Sequence, residues 1–158
     1  MTDVTFQALP TDIVQAYRAG ATDANGCAAE RMTCPAEKYA PCRHCLRYIP
    51  KGAEMLVLAH RPFNTAQPYA ESGPIFLCAD ECRRWDNEGA PPVVAESDED
   101  RLVKGYSEDD RIVYGLGKVV APTDVAARAR TVLDDPRVAY VHIRSSTNNC
   151  FTCRVDAA

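Results

Sequence analysis

The residues best suited to chemistry in this chain are its eight cysteines, which fall into short-spaced pairs: Cys27 with Cys34, Cys42 with Cys45, Cys78 with Cys82, and Cys150 with Cys153. In Pro41-Cys42-Arg43-His44-Cys45 two thiols stand two residues apart on a turn, so both sulfurs can converge on one ion. Cys78-Ala79-Asp80-Glu81-Cys82 supplies a second pair at i and i+4, the same face of a helix. Zinc holds four thiolates in a tetrahedron at about 2.3 Å, and two short-spaced pairs from separate segments are a natural clamp for it. Cys42, Cys45, Cys78 and Cys82 are therefore expected to hold one structural zinc per chain. The alternative is that some of them are small buried hydrophobes. His44 could add a ligand but is expected to be an exposed non-ligand. A redox pair of the thioredoxin kind is disfavoured, because no βαβ pattern surrounds Cys42 and Cys45.

The C-terminal pair behaves differently. If Asn149-Cys150-Phe151-Thr152-Cys153-Arg154-Val155 is a strand, Cys153 shares a face with Phe151 and Val155, and Cys150 shares the other with Thr152 and Arg154. Cys153 is then a core residue and Cys150 the accessible one. In the strand before it, Tyr140, His142 and Arg144 share one face, while Val141 and Ile143 point to the core. A register that sets Cys150 beside Arg144 or His142 would make Cys150 a candidate nucleophile or redox thiol, with His142 as base and Arg144 as the favouring charge. A second four-sulfur site from Cys27, Cys34, Cys150 and Cys153 requires a turn in place of that strand.

Several elements must position these groups. At 158 residues the chain is expected to form a single domain, residues 1–158. Its 46% hydrophobic and 25% charged content is that of a globular protein, large enough to bury a core without disulfides. Val4 to Leu9 reads as a strand, and Asp12 to Arg18 as a helix capped by Thr11 and stopped by Gly20. Ala21 to Pro41 looks irregular. Ala53 to His60 is an apolar run of strand length. Arg61 to Gly73 is a long proline-bearing loop whose Arg61, Tyr69 and Glu71 could line a pocket against the His142 and Arg144 face. Pro74 to Leu77 reads as a strand entering a helical segment, Ala79 to Trp85. Arg111 to Val120 reads as a strand or broken strand pair, and Glu96 to Asp100 as an exposed loop or first helical turn. Pro122 to Leu133 is the clearest helix, and Val138 to Arg144 with Cys150 to Val155 form a closing hairpin. The expected fold class is α+β, mostly antiparallel, with a few helices and a treble-clef-like zinc knuckle.

Charge and targeting signals limit the partners. The net charge of −4 argues against a basic nucleic-acid surface. The charge is uneven, from +3 over Glu37 to Arg61 to −7 over Asp80 to Asp110. No apolar stretch approaches the roughly 20 residues of a membrane span, and MTDVTFQALPTD has no secretory pattern. A reducing cytoplasmic location follows as an expectation, and it favours metal ligands or free thiols over disulfides. No phosphate loop or dinucleotide fingerprint is present, so no nucleotide cofactor is expected.

Three strings, Pro41-Cys42-Arg43-His44-Cys45-Leu46-Arg47, Tyr69-Ala70-Glu71-Ser72-Gly73-Pro74-Ile75-Phe76, and Val141-His142-Ile143-Arg144 followed by Asn149-Cys150-Phe151, resemble a bacterial family of uncharacterised proteins, domain of unknown function 1203. The resemblance covers nearly the whole chain, though the region of Cys27 and Cys34 matches poorly, and it implies no activity. Two functions stay open: a zinc-stabilised binding or adaptor module for an unknown protein or small molecule, and a thiol-dependent enzyme or redox protein built on Cys150.

Overall fold

A computed structural model describes residues 3–86 and 91–158. In chain order its elements are β1 (Val4–Gln7), α1 (Thr11–Arg18), β2 (Glu30–Thr33), β3 (Glu54–His60), β4 (Gly73–Cys78), β5 (Arg101–Tyr106), β6 (Lys118–Val120), α2 (Val125–Leu133), β7 (Tyr140–Ser145) and β8 (Phe151–Ala157). They form a five-stranded sheet, β1-β8-β7-β5-β6, and a three-stranded sheet, β2-β3-β4. Every strand pairing in both sheets is antiparallel. The α+β expectation therefore holds, with two α-helices. No helix among the described residues is long and apolar enough to cross a membrane.

Periodicity explains the larger core. Val125, Ala129 and Val132 recur at i, i+4 and i+7 on α2, and bury against Val103, Val141, Ile143, Cys153 and Val155. On β5 the residue facing the helix is Gly105. A Cβ there would lie 2.8 Å from Val132 Cγ1 and 3.1 Å from Val138 Cγ2, so α2 rests on bare backbone. The opposite face of β7 carries Tyr140 and His142, and Phe63 from the 61–72 loop covers it. A second core joins Val14 of α1 to Met55, Leu58, Ile75 and Leu77 of the small sheet.

The differences from expectation have physical causes. β2, in a stretch expected to be irregular, has all four side chains exposed, so no apolar alternation marks it. It exists by pairing Glu30 to Thr33 with Val57 to Glu54 of β3. β5 follows the acidic run without a turn signal and pairs with both β6 and β7. Of residues 111–120, only β6 and an isolated bridge from Ile112 to Tyr106 are extended. Residues 96–100 form turns, with Glu88 of the same acidic run outside the described residues. The helix expected over 79–85 is absent: Trp85 N–H donates to His44 O at 3.0 Å, and the Arg84 side chain donates to Ala8 O and Leu9 O. The Trp85 N–H is thereby spent outside the segment and cannot close a helical turn, and the Arg84 side chain ties the chain to the stretch before α1.

One irregularity re-aims a side chain. Between Ile143 and Arg144 the β7–β8 register shifts, so that Ile143 opposes Cys153 and Arg144 opposes Phe151. Thr152 is the extra residue of a β-bulge. Cys153 keeps its expected place in the α2 core. Phe151 crosses to the other face, its ring 4.8 Å from that of His142.

Candidate metal centre

The first two sulfurs sit on a tight knuckle. Cys42 N–H donates to Arg47 O at 2.9 Å and Leu46 N–H returns to Cys42 O at 2.9 Å, closing the turn. Leu46 takes φ 53 to allow it, a left-handed conformation tolerated because its side chain is fully buried in the larger core. A parallel bridge from Cys42 to Phe76 docks the knuckle on β4. Cys78 ends that strand opposite Met55, and Cys82 follows on extended chain. Ligand-bearing segments from knuckle and strand end are thus held by the β3–β4 hairpin, as in a treble clef, but without its helix.

The ligand atoms of Cys42, Cys45, Cys78 and Cys82 all lie within 4.8 Å of one another, and could hold a metal ion. The Cys42 and Cys82 sulfurs are 3.9 Å apart. A tetrahedron with bonds of 2.3 Å needs sulfurs about 3.8 Å apart, so the spacing suits one ion. Cys42 is buried, the other three are half-buried, and all eight cysteines are free thiols. Proximity splits the four sulfurs. Hydrogen bonds from Cys45 and Cys78 pull Cys42 down to about 6, and those from Cys42 and Cys45 pull Cys82 far below the thiol range. The donors Cys45 and Cys78 are pushed up, chiefly by Cys42. Cys42 and Cys82 are thus the two sulfurs that favour the thiolate, the form that ligates a metal.

No helix dipole faces these sulfurs; directed donors do that work. Cys78 N–H donates to Cys42 Sγ at 3.3 Å, and Arg18 Nη2 to Cys82 Sγ at 3.3 Å. Arg18 Nε also donates to Cys78 O at 3.1 Å. His44 is neither exposed nor a ligand. It is buried, with Nδ1 3.1 Å from Cys82 Sγ and Nε2 2.9 Å from Thr11 Oγ1. A thiolate only accepts, so Nδ1–H of the ring is the donor that would suit Cys82 in that form, with Thr11 positioning the ring from its other nitrogen. Thr11 therefore serves His44 and does not cap its own helix. Thr11 and Arg18 were not among the expected site residues, yet they tie both ends of α1 to the sulfurs. Their only trace in the sequence is the i, i+7 spacing, which puts them on one helix face.

The remaining candidates separate. Cys27 is exposed, Cys34 is buried in the small-sheet core, and Cys153 lies under α2. The second four-sulfur site is therefore absent among the described residues. Cys150 is half-buried and lines a cavity of about 200 Å³ with His60, Glu71, Arg144, Asn149 and Phe151. Arg144 reaches Asn149 O at 3.1 Å through Nη1 and His142 Nδ1 at 3.2 Å through Nη2. His142 pairs with Arg154, lies among the rings of Phe63, Tyr106, Tyr140 and Phe151, and lines a neighbouring cavity with Arg61. The structure thus brings Cys150 together with Arg144 but not with His142. Tyr69 lines neither cavity; its hydroxyl accepts from Tyr114 at 3.2 Å.

Two buried imidazoles set an acid response. Burial, reinforced by Arg43, lowers His60 to about 4. Burial, then Arg144 and Arg154, hold His142 well below its ordinary value. In the unfolded chain both titrate near 6.5. From pH 6.5 toward 4 the unfolded chain therefore takes up protons that the folded one refuses. Stability present above that window falls by up to about 1.4 kcal/mol per pH unit per histidine. Urea unfolding at about pH 7 and 5 should show a smaller drop for His60→Gln than for the parent; parallel drops would contradict this assignment.

A family model described as "Protein of unknown function (DUF1203)" matches residues 39–157. No curated protein matches the chain, and no solved structure does.

Proposed function

The chain belongs to the DUF1203 family, whose description assigns no activity, and we propose that it is a small cytosolic binding or adaptor module locked by one structural zinc ion. The observation that carries this reading is the closed set of four cysteine ligand atoms within 4.8 Å, with outer donors aimed at the Cys42 and Cys82 sulfurs. All-sulfur coordination with no position left for water or substrate is the pattern of structural zinc. Soft thiolates select zinc over the hard cations magnesium and calcium. Eight unbridged thiols agree with a reducing compartment. Elemental analysis of protein purified without a polyhistidine tag is expected to find about one zinc per chain; folded protein without metal ends the proposal.

A thiol-dependent enzyme or redox protein is favoured by one observation, the shared cavity of Cys150, Arg144 and His60. It gains no support from His142, whose Nδ1 faces the Arg144 guanidinium. Peptide mapping after brief alkylation at about pH 6 separates the readings, because only an activated thiol reacts appreciably there. Cys150 modified ahead of the exposed Cys27 supports the enzyme; Cys27 reacting first removes it.

A further inference from the structure

The chain from Asn149 to Thr152 is held by three guanidinium groups, two of which, Arg43 and Arg101, come from distant segments. Arg43 of the knuckle donates through Nε to Phe151 O at 2.8 Å, and through Nη1 to Pro41 O at 2.6 Å. Arg144 of β7 donates to Asn149 O and to His142. Arg101 of β5 donates to Thr152 Oγ1 at 3.5 Å and to Ser97 Oγ. All three arginines are at least nine-tenths buried, at 3%, 4% and 3% exposure for Arg43, Arg101 and Arg144.

Among the described residues no carboxylate accepts a hydrogen bond from these cations, and Glu99 is the one carboxylate whose charge is felt by any of them, Arg101. Every acceptor they reach is a carbonyl, a hydroxyl or a neutral imidazole, and none forms an ion pair. Nε of Arg101 and Nε of Arg144 are buried without any acceptor. Two acids lie close by and are already hydrogen-bonded: Glu99 accepts from Ser145 and Thr147 beside the Arg43 and Arg101 cavity, and Glu71 accepts from Asn149, with Lys104 3.7 Å away, beside the Arg144 cavity. Buried charge is normally paired, because removing it from water costs several kcal/mol per ion. Three buried guanidiniums around one short segment, none in an ion pair among the described residues and only Glu99 near enough to offset Arg101, leave the segment with an excess of positive charge.

Cys150 stands where a balancing negative charge would go. It lines the 200 Å³ cavity with Arg144, and a second cavity of about 130 Å³ with Arg43 and Arg101. The two cavities also share Pro74 and Asn148, so they adjoin along the segment that the arginines hold. We propose that these adjoining cavities around Cys150 form a binding site for a small oxyanion, the phosphate or carboxylate group of a metabolite, held by Arg43, Arg101 and Arg144. Guanidinium forks match both groups geometrically. The site names a ligand class for the binding reading above, but it does not depend on the metal.

Inorganic phosphate and acetate serve as probes, each against chloride at the same ionic strength, with melting temperature and NMR shifts as readouts. One of the two at about 10 mM is expected to raise the melting temperature by about 3 °C or more where chloride does not. Which one succeeds distinguishes a phosphoryl from a carboxylate ligand. Arg144→Gln should weaken that binding at least about tenfold. Cys150→Glu keeps the test open if Arg144→Gln folds poorly: its carboxylate should raise the melting temperature without probe and abolish the response to it. No response to either probe, or an unchanged response in Cys150→Glu, overturns the site. Metal content measured on the same samples keeps the two proposals apart, since zinc-loaded protein that ignores both probes fails only the oxyanion site.

Discussion

On the zinc proposal, replacing Cys42 by serine or treating the protein with a strong chelator is expected to lower the melting temperature by about 15 °C. Structural zinc contributes folding free energy outright, because the unfolded chain offers no preformed site. Here the loss is set at about 5 kcal/mol, below the range for zinc-finger peptides, because two hydrophobic cores remain. At about 2–4 °C per kcal/mol for a chain of this size, that gives the stated shift. The damage should be local first. Cys42 is bridged to β4, Cys82 is tied to α1 through Arg18 and His44, and Cys78 ends β4, so α1, the knuckle and the small sheet lose a common anchor. Cys27→Ser, an exposed thiol outside the cluster, should stay within about 0.5 kcal/mol of the parent. Thermal unfolding with parallel zinc analysis checks both. A Cys42→Ser protein that melts with the parent shows that the four sulfurs do not stabilise the fold.

Arg43→Met should cost about 3 kcal/mol while leaving the metal in place. The Arg43 side chain runs from the knuckle to β8, joining the small-sheet core to the large sheet through Phe151 O. Burial lowers its pKa to about 10, so the charge itself is expensive to keep there. The loss comes instead from two carbonyls, Pro41 O and Phe151 O, left without that donor; an unsatisfied buried acceptor costs about 1–3 kcal/mol. Arg47→Met, at an exposed position on the same knuckle, is the control and should be nearly neutral. Urea unfolding with zinc content measured on each variant reads the result. Equal stability of Arg43→Met and parent would remove Arg43 as the link.

Local signals carried much of the fold. The apolar run of β3, the alanine-rich stretch after Pro122 and the turn-rich string between β7 and β8 each have a pattern that a short window contains. β2 and β5 do not. β2 has no buried side chain, and β5 breaks its alternation at Gly105, where α2 presses against the backbone. Both strands exist because a partner strand is present, which no window of the sequence shows. The helix expected at 79–85 is the converse. Its i, i+4 cysteines fit a helix face, yet the backbone there bonds to the knuckle, and Arg84 bonds to the segment before α1.

The sulfur pairs show the same division. Spacing alone marked Cys42, Cys45, Cys78 and Cys82 as a possible clamp, because short-range pairs constrain where two thiols can point. Spacing could not say that His44 would turn inward to the Cys82 sulfur, nor that Thr11 and Arg18 would reach the cluster from α1. Those contacts depend on how a helix docks across a separation of many residues. In the C-terminal hairpin, strand alternation placed Cys153 inside and Cys150 outside, but one extra residue, Thr152, moved Phe151 to the far face and set the register of Arg144. A strand's side chains alternate with period two, so a single bulge reverses everything beyond it. The sequence by itself determined which residues could bind a metal and set Arg144 near Cys150 on one hairpin; only the tertiary structure brought Arg43 and Arg101 to that cysteine, since they lie on segments that packing alone joins.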